Sequence, residues 1–398
     1  MTSTRTNTST SPTENTWTAA HRTAVINPHE TFRLFESRGF TAQTVRQTVR
    51  LAGGGTAFRV RISNRYGAQP LDIAGAHAAR RAPGTGDGST IDPTTNTPLL
   101  FAGAPATTVP VGAEILTDPV ERPVTAGEEL TVSLHLPGDT GLTTYSAVPY
   151  DIGHAAPGDQ LTAETLKDAE EFGSGHFLTG VDVRAPEGTR IAVAFGDSWI
   201  EGAFTTPGAD NSFPGQLGRR LTRGWIVNQG ISGNRLLTAE IGERLLDRVE
   251  RDVLDVPGVT HVIVHVGLND LGIPSMIAHP EPGDLPTPDA YLTGVTTLTE
   301  RLRAAGLTVI GTTIGPYEGT VHEGYDSAAG QAVRREINSR LLAGEHPYDH
   351  LFDLAAAVAD PARPTRIHDD FNAGDGLHVN DAGAKAIADA FDVTLLDL

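Results

Sequence analysis

The chain has 398 residues, with 49 acidic against 30 basic side chains, a formal net charge of −19 and no cysteine. Disulfides, thiolate metal sites and thiol nucleophiles are therefore excluded, and the acidity disfavours non-specific binding to nucleic acid or to an anionic membrane. A hydrophobic fraction of 39% suffices for real cores, the length suits two domains better than one, and no apolar run approaches the roughly 18 residues of a membrane span.

Residues 1–16 are dominated by Thr and Ser and predict a disordered tail. They contain no apolar h-region, so the expected compartment is the cytoplasm, with secretion left open. Lys167 and Lys385 are the only lysines, and 44 Gly and 26 Pro accompany them, a composition that suggests a high-GC bacterial genome.

From 17 to 157 the apolar runs are short and Gly and Pro are dense. Segments 44–51, 57–62 and 129–136 alternate: Phe58, Val60 and Ile62 share one face and Arg59, Arg61 and Ser63 the other, and Leu130, Val132 and Leu134 repeat the pattern. Period-2 runs between Gly-rich turns predict an antiparallel β-sandwich, jelly-roll-like, as an accessory domain. Residues 158–185 are charged and mixed and are read as a connection.

From 186 to 398 the pattern changes. Nearly continuous apolar runs at 190–195, 225–228, 261–266, 308–313 and 350–354 predict strands buried on both faces. Helical patterns at 214–221, 239–254, 289–305, 328–342 and 381–391 separate or follow them. Alternating strands and helices predict a doubly wound parallel α/β domain. There is no internal repeat.

Ligands of open α/β sheets bind beyond the carboxyl ends of the strands, and four sequence blocks fall there. Ala194-Phe195-Gly196-Asp197-Ser198 ends the first strand on a sharp turn with a hydroxyl. Asn228-Gln229-Gly230-Ile231-Ser232-Gly233-Asn234 follows the second, and Gly233 can present a bare backbone N–H. Val266-Gly267-Leu268-Asn269-Asp270 follows the third, where the Asn269 amide is a donor suited to a developing oxyanion. Asp375-Gly376-Leu377-His378 lies near the C-terminus. A serine needs a base, the base needs a carboxylate that fixes its tautomer, and Asp at i meets His at i+3 within one turn. Each block alone also fits an ordinary capped turn.

The four blocks in this order resemble the SGNH/GDSL hydrolase superfamily, over residues from about 190 to 390. The resemblance implies a flavodoxin-like three-layer α/β/α domain with Ser198 as nucleophile and Asp375 and His378 completing a triad. It makes Gly233, Asn269 and the Ser198 N–H the oxyanion-hole donors. It implies a carboxylic ester hydrolase that forms an acyl-serine, with a small-molecule or carbohydrate ester as substrate, neither cofactor nor metal, and no nucleic-acid or membrane partner. The 44–50 and 58–64 alternation is similar to the β-sandwich that precedes the catalytic domain in a group of actinobacterial GDSL proteins. Two departures stand out: Trp199 and Ile200 follow the nucleophile where a small aliphatic residue and then Thr or Val are usual, and His265 replaces an aliphatic residue. Trp199 either narrows the pocket or packs under it.

Other residues carry less. His261 and His265 share a strand face but are read as partly buried, hydrogen-bonded histidines rather than ligands. Asp369 and Asp370 are read as a solvated loop, 280–288 as a surface loop over the site, and Glu201 as a residue without catalytic role. The polar loops 201–211 and 232–240, and a loop expected over 271–291 that offers only a small apolar group in Ile273, Met276 and Ile277, predict short acyl groups. The alternatives are a non-hydrolytic carbohydrate-binding protein with a degenerate hydrolase domain, and an acyltransferase using the same triad.

Overall fold

The structure, a computed structural model, describes residues 15–84, 88–277 and 285–398. In the N-terminal part, strands Asn15–Arg22, Leu178–Pro186, Phe58–Ser63 and Glu114–Leu116 form, in that spatial order, a four-stranded sheet. A six-stranded sheet runs Glu170–Phe172, Gly153–Pro157, Thr41–Arg50, Glu129–Asp139, Gly75–Arg80, Thr97–Pro98. Neighbouring strands in both are antiparallel. The alternation decides the packing: Phe58, Val60 and Ile62 from one sheet and Val45, Leu130, Val132 and Leu134 from the other share one core. This is the expected sandwich. The opposite face of the six-stranded sheet is covered too, because the buried Arg46 guanidinium donates to Ser133 Oγ at 2.9 Å and to the carbonyls of Ser89 and Ala163.

Residues 158–185 are not the connection that their mixed composition suggested. Strand Glu170–Phe172 edges the six-stranded sheet, and Leu178–Pro186 lies between Asn15–Arg22 and Phe58–Ser63 in the other. Their apolar residues are few but correctly spaced: Val181, Val183 and Ala185 point into the core. The expected disordered tail lies outside the described residues, except that Asn15 and Thr16 already belong to the first strand.

The C-terminal part has five parallel strands: β1 (Ile191–Gly196), β2 (Trp225–Gly230), β3 (Val259–His265), β4 (Thr308–Thr312) and β5 (His350–Phe352). They lie in the order β2-β1-β3-β4-β5, the flavodoxin-like arrangement that the resemblance implied. β1 is an interior strand, buried throughout; Ile191, Val193 and Phe195 each gain about 1.5–3 kcal/mol relative to exposure. The helices are α1 (Ser198–Glu201), α2 (Phe213–Gly218), α3 (Leu245–Val249, continued by a π turn at Glu250–Leu254), α4 (Leu268–Ile277), α5 (Pro288–Ala304), α6 (Ala328–Leu342), α7 (Leu354–Val358) and α8 (Asp381–Ala390). No helix among the described residues is long and apolar enough to cross a membrane.

Two helix expectations shift. The helix expected over 239–254 begins only at Leu245, because Asn234 Nδ2 donates to the carbonyls of Ile241 and Glu243 and holds that stretch in a turn. The region 271–291, read as a loop, contains most of α4 and the start of α5. The loop expected over 280–288 lies outside the described residues up to 284.

The two parts are joined by polar and apolar contacts. Trp225 packs against both cores, and its indole N–H donates to Ala19 O at 2.6 Å. The Ala19 N–H donates to Pro257 O at 2.9 Å.

Candidate active site

The turn after β1 sets the geometry. A Cβ on Gly196 would sit 2.0 Å from His265 O on the neighbouring strand, so only glycine fits there. Asp197 then caps α1, its Oδ1 accepting the Trp199 N–H at 3.1 Å. Ser198 is thereby the first residue of a short helix just past the carboxyl end of β1.

Ser198 Oγ lies 3.1 Å from His378 Nε2, and His378 Nδ1 lies 2.6 Å from Asp375 Oδ2. Asp375 Oδ1 accepts the backbone N–H groups of Leu377 and His378 at 2.9 and 2.8 Å, closing one tight turn around the carboxylate. Burial pushes the Asp375 carboxyl up, but the His378 hydrogen bond and charge and these two N–H groups outweigh it and hold the acid well below the usual carboxylate range. With the carboxylate at Nδ1, the Nε2 lone pair faces the hydroxyl.

Gly233 is in the left-handed region at φ 81°, which glycine adopts without strain, and both its neighbours are anchored. The Ser232 N–H donates to Glu201 Oε2 at 2.5 Å, and Asn234 O accepts the Asn269 Nδ2 donor at 3.0 Å. Leu34, from the N-terminal part, stands beside Gly233, one methyl 3.0 Å from where a Cβ would be. Asn269 is buried in the first turn of α4, and its Oδ1 accepts the Tyr325 hydroxyl at 2.8 Å. Asp270 fixes the same loop from below, accepting the N–H groups of Leu236 and Leu237. Of the five residues singled out from the sequence, Ser198, His378 and Asp375 are hydrogen-bonded in line, and Asn269 is tied to the Gly233 loop through Asn234.

Sequence reasoning missed four contributors. Arg248 is fully buried; it donates to Gly196 O, Gln229 O and Asn234 Oδ1 at 2.8–2.9 Å, pairs with Asp252, and stacks over Phe195. It ties the ends of β1 and β2 to the Gly233 loop. Tyr325 orients Asn269. Phe204, exposed at the mouth with φ 67°, stacks on the His378 ring at 4.6 Å. Glu201 bridges Ser232 and the Val148 N–H of the N-terminal part; burial, only partly offset by those two N–H groups, pushes its carboxyl up to about 7.

The remaining expectations resolve by position. Trp199 packs under the site: it is buried, and its indole N–H donates to Leu377 O at 3.0 Å, steadying the segment that carries His378. His265 and His261 are buried and engage Thr312 and Thr260. Among the described residues, the three-residue group that could ligate a metal is His322, Asp375 and His378, which neither of them joins. Asp369 and Asp370 form an exposed turn.

A parallel sheet in this strand order, with a serine, a histidine and an aspartate in sequence at its carboxyl edge, defines the α/β fold of the SGNH hydrolases. Residues 194–386 match the GDSL-like lipase/acylhydrolase family, and the α/β domain belongs to it: the chain is an SGNH esterase, a hydrolase of ester substrates. No curated protein matches the chain. Among solved structures it is similar to a carbohydrate acetylesterase family member from Sinorhizobium meliloti (16% identity, 52% of this chain and 100% of the other, TM-score 0.39). It is also similar to a GDSL-like lipase from Bacteroides thetaiotaomicron (17%, 52% and 88%, 0.38) and to the aryl esterase of M. smegmatis (16%, 50% and 95%, 0.39).

Proposed function

We propose that the protein cleaves short-acyl carboxylic esters, acetyl esters of carbohydrates or small metabolites among them, through an acyl-serine on Ser198. The observation that carries this reading is the unbroken relay from Asp375 to His378 at 2.6 Å and from His378 to Ser198 at 3.1 Å. His378 Nε2 takes the Ser198 proton as Oγ attacks the ester carbonyl, and Asp375 stabilises the imidazolium. The oxyanion is met by the N–H groups of Ser198 and Gly233 and by the Asn269 amide, whose second Nδ2 hydrogen is not taken by Asn234 O. His378 then protonates the leaving alcohol, and the same nitrogen activates water to release the acid.

The short acyl group is supported by where the open space lies. A cavity of about 600 Å³ between the two parts reaches Glu201 and Phe204, but neither Ser198 nor His378 lines it. The test is labelling with a fluorophosphonate followed by peptide mass mapping, alongside hydrolysis of a chromogenic acetate ester. Modification at Ser198 that abolishes hydrolysis is expected; full hydrolysis after stoichiometric labelling of Ser198 would overturn the assignment.

A further inference from the structure

One nitrogen beside the relay has no task in that chemistry. His322 Nε2 is shielded from solvent and without a hydrogen-bond partner, and it lies 3.5 Å from Asp375 Oδ2, the oxygen that also faces His378 Nδ1. The His322 ring stands nearly perpendicular to the His378 ring at 6.5 Å. Its loop is fixed against Asp375: the Val321 N–H and the Thr320 hydroxyl both donate to Asp375 O, at 2.8 and 2.9 Å. Ligand atoms of His322, Asp375 and His378 all lie within 4.8 Å of one another.

From this arrangement we propose that His322, Asp375 and His378 form an inhibitory site for a zinc-like transition-metal dication. The inference rests on the reading of Ser198, His378 and Asp375 as the triad. Two imidazoles and one carboxylate suit zinc, and imidazole nitrogen disfavours magnesium and calcium. Tetrahedral zinc with bonds of about 2.0–2.2 Å sets its ligand atoms roughly 3.3–3.5 Å apart. The His322–Asp375 separation of 3.5 Å already meets that. The His378–Asp375 separation of 2.6 Å must open by about 0.7–0.9 Å to reach the same spacing. The His322 side chain as a whole is 38% exposed, so the site lies close to the protein surface.

The consequence for catalysis follows from one proton. Neutral His378 carries a single ring proton, held at Nδ1 by Asp375. A metal bound at Nδ1 occupies that position, so the proton moves to Nε2. Nε2 then donates instead of accepting, and Ser198 has no base. The Nδ1–H bond breaks, an Nε2–H bond forms and the metal takes the freed Nδ1 lone pair, so the proton count is unchanged; occupancy and turnover exclude each other.

The experiment uses the full chain in a non-coordinating buffer. Acetate ester hydrolysis is followed against zinc chloride, with magnesium chloride as control, for the wild type and His322→Gln. Zinc binding is measured separately by calorimetry on Ser198→Ala and on the Ser198→Ala/His322→Gln double variant. The expected result is zinc inhibition reversed by EDTA, none by magnesium, and a His322→Gln enzyme that keeps its basal rate. That variant should require roughly 10–100-fold more zinc for the same inhibition, with the same loss in calorimetric affinity. Equal zinc sensitivity with and without His322 overturns the site, as does an unchanged affinity. If His322→Gln misfolds, His322→Asn takes its place. A wild type that hydrolyses no ester counts against the functional reading, while calorimetry still decides the metal site.

Discussion

Tyr325 donates its hydroxyl proton to Asn269 Oδ1 at 2.8 Å, and this contact sets which end of the amide points outward. With the oxygen engaged, Nδ2 is left for Asn234 O and for substrate. Asn269→Ala should cost roughly 10²–10³ in kcat, the scale of one oxyanion donor. Tyr325→Phe keeps the donor but frees the amide to rotate. Losing a net 0.5–1.5 kcal/mol of hydrogen bonding predicts about a 2–13-fold fall. Steady-state kinetics check both; a change confined to KM in either variant would remove the assigned role.

Ser198→Ala should abolish turnover and leave the fold intact. The hydroxyl sits at the start of a four-residue helix, and its hydrogen bond goes to His378 rather than into the core. Circular dichroism and thermal melting should match the wild type while ester hydrolysis disappears. A clean preparation that still hydrolyses esters would refute the nucleophile.

Dialysis against EDTA should leave the ester hydrolysis rate undiminished, because the base on Ser198 is an imidazole. Activity lost to the chelator and restored by a divalent cation would mean that a metal takes part in turnover.

Two buried acids give stability a pH dependence of defined sign. Burial pushes Asp197 up to about 8, with the Trp199 N–H and Arg248 opposing and Asp270 adding to the effect; Glu201 is raised in the same sense. Unfolded, both release their protons near pH 4. Each raised carboxyl therefore contributes stability that is complete below pH 4 and is lost as the pH rises through the folded values. The Asp197 contribution is on the order of several kcal/mol. Asp197→Asn should flatten the fall in Tm between pH 5 and 9, since Asn retains the capping oxygen. An unchanged slope would show that Asp197 is ionised in the folded state.

Across p-nitrophenyl esters from acetate to palmitate, kcat/KM should peak between acetate and butyrate. Each further CH₂ gains about 0.8 kcal/mol only where a groove receives it. Exposed apolar residues next to site residues, Phe204 on His378, Leu34 beside Gly233 and Val321 at Asp375, are single side chains on separate loops. A maximum at decanoate or longer would contradict this.

Much of the fold could be read because its signals are local. The unbroken apolar run of β1 and the blocks around Ser198, Gly233, Asn269 and His378 each lie within a few residues. What escaped depends on distant partners. Arg248 reads as a surface residue of a helix, yet its contacts are made by three other segments. Tyr325 lies 56 positions from Asn269. α4 was hidden because Gly267, Asn269 and Asp270 favour turns and because Gly272 and Pro274 interrupt its pattern; in the fold its Leu268, Leu271 and Ile273 pack into the core of the α/β part. The Leu178–Pro186 strand was legible in principle from Val181, Val183 and Ala185, but the charged stretch before it masked the alternation.

The strand Asn15–Arg22 has its partner in Leu178–Pro186 and a further contact at Pro257. During synthesis, roughly 160 residues must be added after Arg22 before Gly180 exists to pair with it. At about 5–20 residues per second that is roughly 10–30 s. The N-terminal sheet therefore cannot close as it emerges from the ribosome. The edge of Phe58–Ser63 that Leu178–Pro186 later fills stays open while about 115 further residues are added, so this sheet closes only after most of the N-terminal part has been made.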